Sequence, residues 1–217
     1  PTAVMLCITC VDALLGTDME RVCRSAEEAA HVPVVPCYMY ALTREGRHPP
    51  MAAVRKAVYS LLKPMAKRAD CMNIIGSFSP LSSGCELYRL FNKAGVRHIR
   101  EISRCKSFGE YLNMAQANFN LVLNPESRLA SGWMEKALRI PSIEISRMYQ
   151  IDKIHNQYRL MAKALDIPWE DQQDYDAAQE EIARFREKHG GTVFAVGEIA
   201  DADPFELSLA LLRYGFC

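Results

Sequence analysis

An α/β fold built on a mainly parallel, Rossmann-like sheet is the architecture this sequence predicts, and three observations predict it. Short apolar runs of strand length recur along the chain. Amphipathic stretches long enough for helices separate most of them, and Gly, Pro, Asn, Asp and Ser gather at the junctions. Strands joined through helices need crossover connections, which make neighbouring strands parallel, place helices on both faces of the sheet and favour right-handed connections.

Taken in order, Ala3-Val4-Met5-Leu6-Cys7-Ile8-Thr9 reads as a buried strand, and Gly16-Thr17-Asp18 supplies a flexible residue and two N-cap candidates. Residues 17–30 then carry Met19, Val22, Cys23 and Ala26 at helical spacing, before a second strand over 32–37. Residues 50–63 place Val54, Ala57, Val58, Leu61 and Leu62 on one helical face, and Pro64 is expected to end that helix. A strand over 71–76 precedes a helix over 83–93, with Leu87, Leu90 and Phe91 inward and Gly95 closing it. Strands over 98–102 and 119–123, a helix over 128–138, a strand over 142–145 and a helix over 151–165 complete the pattern.

Composition shifts after that point. Asp166-Ile167-Pro168-Trp169-Glu170-Asp171-Gln172-Gln173 is polar and turn-prone, and the helix over 175–189 is strongly charged. Gly190-Gly191 ends it, a strand is expected over 192–197, and Asp203-Pro204 opens a further helix through Arg213. The expected partition is a Rossmann-like domain over 1–165, a charged helical linker over 166–190, and the truncated start of a further Rossmann-like domain over 191–217. A chain that opens on Pro1, enters a strand at once and stops just after a helix reads as a piece of a longer polypeptide.

The 217 residues are enough for a substantial core, and 26 basic residues balance 26 acidic ones. A neutral chain lacks the field that draws proteins onto nucleic acid or anionic lipid, so neither is an expected partner. No apolar run is long enough to span a bilayer and no signal pattern opens the chain, so a cytoplasmic location is expected. The eight cysteines are spread over the whole length, unlike a small disulfide scaffold, and are expected to be reduced.

Candidate chemistry gathers where strands end, because parallel sheets bind ligands beyond their carboxyl edges. Cys7-Ile8-Thr9-Cys10 is a CxxC pair with no second pair to complete a zinc site. Strand alternation turns its two thiols apart, so Cys7 is expected in the core and Cys10 at the strand end, free to bind a metal, a cluster or a substrate. His48 lies in the long polar loop 43–50, either as a ligand-facing imidazole or as a solvated one. The stretch 73–84 joins a strand to a hydroxyl-rich loop without a nucleotide fingerprint. Asn124, at another strand end, can hydrogen-bond a ligand or form the turn that Asn-Pro favours.

Cys10-Val11-Asp12-Ala13-Leu14-Leu15-Gly16-Thr17-Asp18 resembles the Cys-x-x-x-hydrophobic-hydrophobic-Gly-[Asp/Thr]-Asp segment of nitrogenase component 1 proteins. The order of Val34-Val35-Pro36-Cys37, Asn73-Ile74-Ile75-Gly76, Leu121-Val122-Leu123-Asn124 and Leu138-Arg139-Ile140-Pro141 is also similar to that family, chiefly over residues 1–165. The resemblance implies paired subunits of three Rossmann-like domains, an iron–sulfur cluster at their interface, and an ATP-dependent iron–sulfur reductase as a further partner. It implies that Cys10 is a cluster ligand whose companion cysteines lie upstream of this stretch. Asn124 stands where the catalytic chain of the molybdenum–iron protein has its cofactor-anchoring cysteine, and an amide replaces a thiolate poorly on iron. His48 falls in the loop that carries that chain's cofactor-facing histidine.

Three functions follow as expectations. The first is ATP-coupled multi-electron reduction through the interface cluster, on a substrate other than dinitrogen bound at the usual cofactor. The second is a scaffold for cluster or cofactor assembly in the same family, and the third is a ligand-binding or interaction domain without a cluster. The 217-residue piece by itself is expected to fold but to hold no cluster and to be inactive.

Overall fold

A computed structural model describes residues 1–39, 49–197 and 203–216. Along the chain its elements are β1 (Val4–Ile8), α1 (Cys10–Leu14), α2 (Met19–Ala30), β2 (Val34–Tyr38), α3 (Pro50–Tyr59), β3 (Cys71–Ile75), α4 (Glu86–Lys93) and β4 (His98–Arg100). They continue with α5 (Phe108–Leu112), β5 (Phe119–Val122), α6 (Arg128–Leu138), β6 (Ser142–Glu144), α7 (Ile151–Leu165), α8 (Gln172–His189) and α9 (Pro204–Arg213). Packing groups them into two units, Pro1–Pro80 with Arg97–Glu144, and Leu81–Val96 with Ile145–Cys217. This grouping differs from the composition-based partition at 165 and 190, because the polar stretch before α8 carries Trp169, which packs against Phe91 and Tyr158.

The first unit holds two parallel sheets. In one, β1 lies beside β2 with Val4 opposite Val34 and Ile8 opposite Tyr38. In the other, the order is β4-β3-β5-β6 and every pairing is parallel. The chain steps from β3 outward to β4 and returns to β5 on the other side, so β3 and β5 flank the topological switch where such sheets bind ligands. All five residues of β3 and all four of β5 are buried, as a central parallel strand requires. One core joins Tyr59, Ile75, Tyr111, Met114, Val122, Met134 and Ile140. Inside it, Asn73 Nδ2 donates to Asn120 Oδ1 at 2.9 Å and to the Met114 carbonyl at 3.0 Å, a buried link between two adjacent strands, while Asn73 Oδ1 has no partner among the described residues.

Local chemistry sets several boundaries. Asp18 caps α2 by accepting from the Arg21 N–H at 3.0 Å, and Pro50 opens α3 at its first turn. Helix α3 stops at Tyr59, short of the expected 63, because Ser60 turns its hydroxyl back onto the Ala57 carbonyl at 2.7 Å. The expected strand over 192–197 forms no ladder among the described residues. A strand needs a neighbour, and here Phe194 packs instead against Phe185 and Phe216, with ring centroids 6.4 and 5.6 Å apart.

The second unit is helical among its described residues. Trp169 makes edge contacts with Phe91 of α4 and Tyr158 of α7, and Tyr158 donates its hydroxyl to Glu86 Oε1 at 2.6 Å. Asp171, buried at the start of α8, faces His155 Nδ1 of α7 at 2.9 Å. These contacts tie α8 to α7.

Candidate functional site

Cys10 is the first residue of α1, directly after β1, and its side chain is exposed. The turn into α1 is built by Thr9, whose N–H and hydroxyl both donate to the Asp12 carboxylate at 3.0 and 3.1 Å. Gly16, at φ +65°, then reverses the chain toward α2, a conformation that costs glycine little. The expected strand-end loop is thus a short helix, because Thr9 and Asp12 close a capping box at once after β1. Val11, Leu14 and Leu15 around the thiol are all exposed.

Cys7 does not lie in the core as expected. It is exposed on β1, while its in-register neighbour Cys37 on β2 is buried. A two-stranded sheet covers one side of its strands poorly, so Ile8 takes the interior place. Burial, and then the neighbouring Cys7, push the Cys37 thiol up.

Asn124 follows β5 and uses its side chain locally. Its Oδ1 accepts from the Glu126 N–H at 2.9 Å, capping the short 3-10 turn Pro125–Ser127 that leads into α6. Gly76, which follows β3, runs close beside it at φ +137°, where an added Cβ would come 2.7 Å from the Asn124 nitrogen. The two loops at the β3/β5 switch therefore touch through backbone. Cys10 and Asn124 stand at the carboxyl ends of strands in different sheets. His48 lies outside the described residues.

Arg55 of α3 reaches the same switch, a feature that sequence reading missed. Its side chain is only 10% exposed, its Nη2 lies 3.2 Å from Glu126 Oε2, and its guanidinium sits 4.9 Å from the centre of the Phe78 ring. Arg55 and Glu126 are 71 residues apart, and nothing local marks them as a pair. Among the described residues no three His, Cys, Asp or Glu side chains form a group able to hold a metal ion, so Cys10 stands there as a single soft donor.

Comparison with known proteins adds the remaining observation. The family described as nitrogenase component 1 type oxidoreductase matches residues 1–212. A nitrogenase iron-molybdenum cofactor biosynthesis protein NifE from Methanococcus maripaludis is 26% identical over 168 residues, covering 75% of this chain and 35% of that protein. The protein of the same description from Nostoc is 27% identical over 172 residues, covering 77% of this chain and 36% of its own length. The nitrogenase molybdenum-iron protein alpha chain of Methanosarcina barkeri is 23% identical over 192 residues, covering 86% of this chain and 36% of its own. The chain thus spans about a third of the length of these curated relatives. A solved structure titled nitrogenase Cp1 at pH 6.5 aligns over 100% of this chain and 44% of its own, with a TM-score of 0.61 and 18% identity, which supports a common fold. With the α/β switch, the Cys10–Asp18 segment and the match over 1–212 together, the chain belongs to the nitrogenase component 1 type oxidoreductase family.

Proposed function

We propose that this protein serves as a scaffold on which a nitrogenase-type metal cofactor is assembled, and that Cys10 contributes one thiolate to an iron–sulfur cluster shared with a paired component 1 subunit. The observation that carries this reading is that most of the similar proteins are described as cofactor biosynthesis proteins. Two side chains fit it. Cys10 offers an exposed thiol on a firmly capped turn, surrounded by exposed apolar residues suited to a subunit contact. Asn124 spends its side-chain oxygen on the Glu126 N–H and presents no thiolate, so it does not fit the role of a permanent iron anchor. A scaffold releases what it builds, and the lack of such an anchor agrees with release. When bound, the cluster would supply electron storage and transfer. The chain's own part is to present the thiolate at a fixed place and to shield it on one side.

The site of action is then cytoplasmic, with an ATP-dependent iron–sulfur reductase as electron donor, and no helix among the described residues is long and apolar enough to cross a membrane. The likeness to the molybdenum-iron alpha chain keeps substrate reduction as the second reading. The intact protein, purified anaerobically with its paired subunit and supplied with reductase and MgATP, separates the two. Bound iron and acid-labile sulfide that pass to an apo-acceptor, without steady consumption of an organic substrate, are expected. Sustained reductase-dependent turnover would establish the second reading in place of the first.

A further inference from the structure

The β3/β5 switch holds two buried polar atoms that no group among the described residues satisfies. Arg55 is 8% exposed, and its Nε has no hydrogen-bond partner. Ser127, fully buried at the entry to α6, leaves its Oγ without one, and it makes no capping bond to that eleven-residue helix. Leaving such groups unpaired is costly, and native proteins seldom do so without a reason of function or a bound partner.

The geometry of Arg55 defines what is missing. Nε and Nη2 form one edge of the guanidinium, the edge that takes two oxygens of a carboxylate or phosphate side by side. Glu126 occupies only half of that edge, through a single contact from Nη2 to Oε2 at 3.2 Å. The Glu126 side chain is 38% exposed, and Phe78, whose ring faces the guanidinium, is 40% exposed. The cation is therefore held at the buried floor, while the carboxylate and the ring at its mouth are open to solvent. Position agrees with chemistry, because this is the crevice where a doubly wound sheet places ligands.

We propose that the crevice of Arg55, Phe78, Glu126 and Ser127 binds a small oxyanion, a carboxylate or a tetrahedral oxyanion. The ligand takes both Nε and Nη2 of Arg55 and displaces Glu126 toward solvent. Glu126 acts as a resident latch that neutralises the buried cation while the site is empty, and the Ser127 hydroxyl donates to a third ligand oxygen. The site requires no bound cluster, so it stands or falls apart from the scaffold reading.

The test is titration of the intact protein with sodium phosphate and, separately, sodium acetate at constant ionic strength. It follows the Arg55 Nε–Hε resonance, assigned by its loss in R55K, together with the thermal midpoint. Saturable movement of that resonance by either anion is expected, and which anion moves it identifies the ligand class. Binding in R55K, which keeps the charge but loses the planar fork, falls at least tenfold. Binding in E126Q tightens severalfold because the competing carboxylate is gone. If R55K does not fold, E126Q alone decides, since its side chain is at the open mouth. A resonance that does not move, binding as tight in R55K as in the parent, or no tightening in E126Q overturns the proposal.

Discussion

Cys10 and Cys71 belong to one chain, yet their surroundings give them opposite chemistry. Cys10 is exposed, whereas Cys71 is fully buried in β3, and that burial pushes its thiol up although the nearby Arg100 guanidinium, with Nη1 2.6 Å from the sulfur, pulls the other way. Burial likewise raises Cys23, Cys37 and Cys105. Since the thiolate is the reactive species, a maleimide pulse on the native protein should modify Cys10 and Cys7 well before Cys71, and peptide mapping would reveal any other order. Tyrosines show the same physics. Burial, with Glu86 adding to it, pushes the Tyr158 phenol far above its ordinary value of about 10, and burial also raises Tyr59 and Tyr111. A raised phenol favours the fold fully below pH 10, and that contribution is lost as pH climbs above it, because the unfolded chain ionises first. Absorbance at 295 nm should therefore leave these three un-ionised until alkaline unfolding, which would appear as a late cooperative step. Asn124 could be read from the sequence as a turn former, because Asn-Pro carries its conformation locally. The Arg55–Glu126 pair could not, because only the crossing of β3 and β5 brings α3 to the turn before α6.

At the scale of elements, the loops beyond β3 and β5 depend on one glycine. Gly76 combines φ +137° with a Cβ position 2.7 Å from backbone, so Gly76→Ala carries both strain and a clash that no side-chain movement relieves. A loss of about 2–4 kcal/mol in urea unfolding is expected, and a change below 0.5 kcal/mol would show that the two loops are not in contact. The amide ladder between the same strands is the second support. Asn120→Ala removes one of the two acceptors of Asn73 Nδ2 in a fully buried place and should cost about 1–3 kcal/mol by the same measurement. Strand positions for β3 and β5 were legible because short, mainly apolar runs between turn residues have few other uses. The run over 192–197 carried the same signal without becoming a strand, since a ladder needs a neighbour as well as a pattern. Helix α1 was hidden by its length, as five residues offer no periodicity, although Thr9 and Asp12 spell its capping box.

For the whole molecule, family and fold were legible from the order of several weak motifs, each of which lies in or next to a strand in the structure. The choice among functions was not, because one fold hosts different functions and none of these motifs decides between them. The relatives tip it toward assembly. The exposure of Cys10 predicts that Cys10→Ser leaves the unfolding free energy within about 0.5 kcal/mol. The most direct test is the iron content of the anaerobically purified complex of the intact protein with its paired subunit, compared between the parent and Cys10→Ser. Loss of most cluster iron from a variant that still folds and pairs is the expected result, and full retention of iron in Cys10→Ser would contradict the assignment of Cys10 as a cluster ligand.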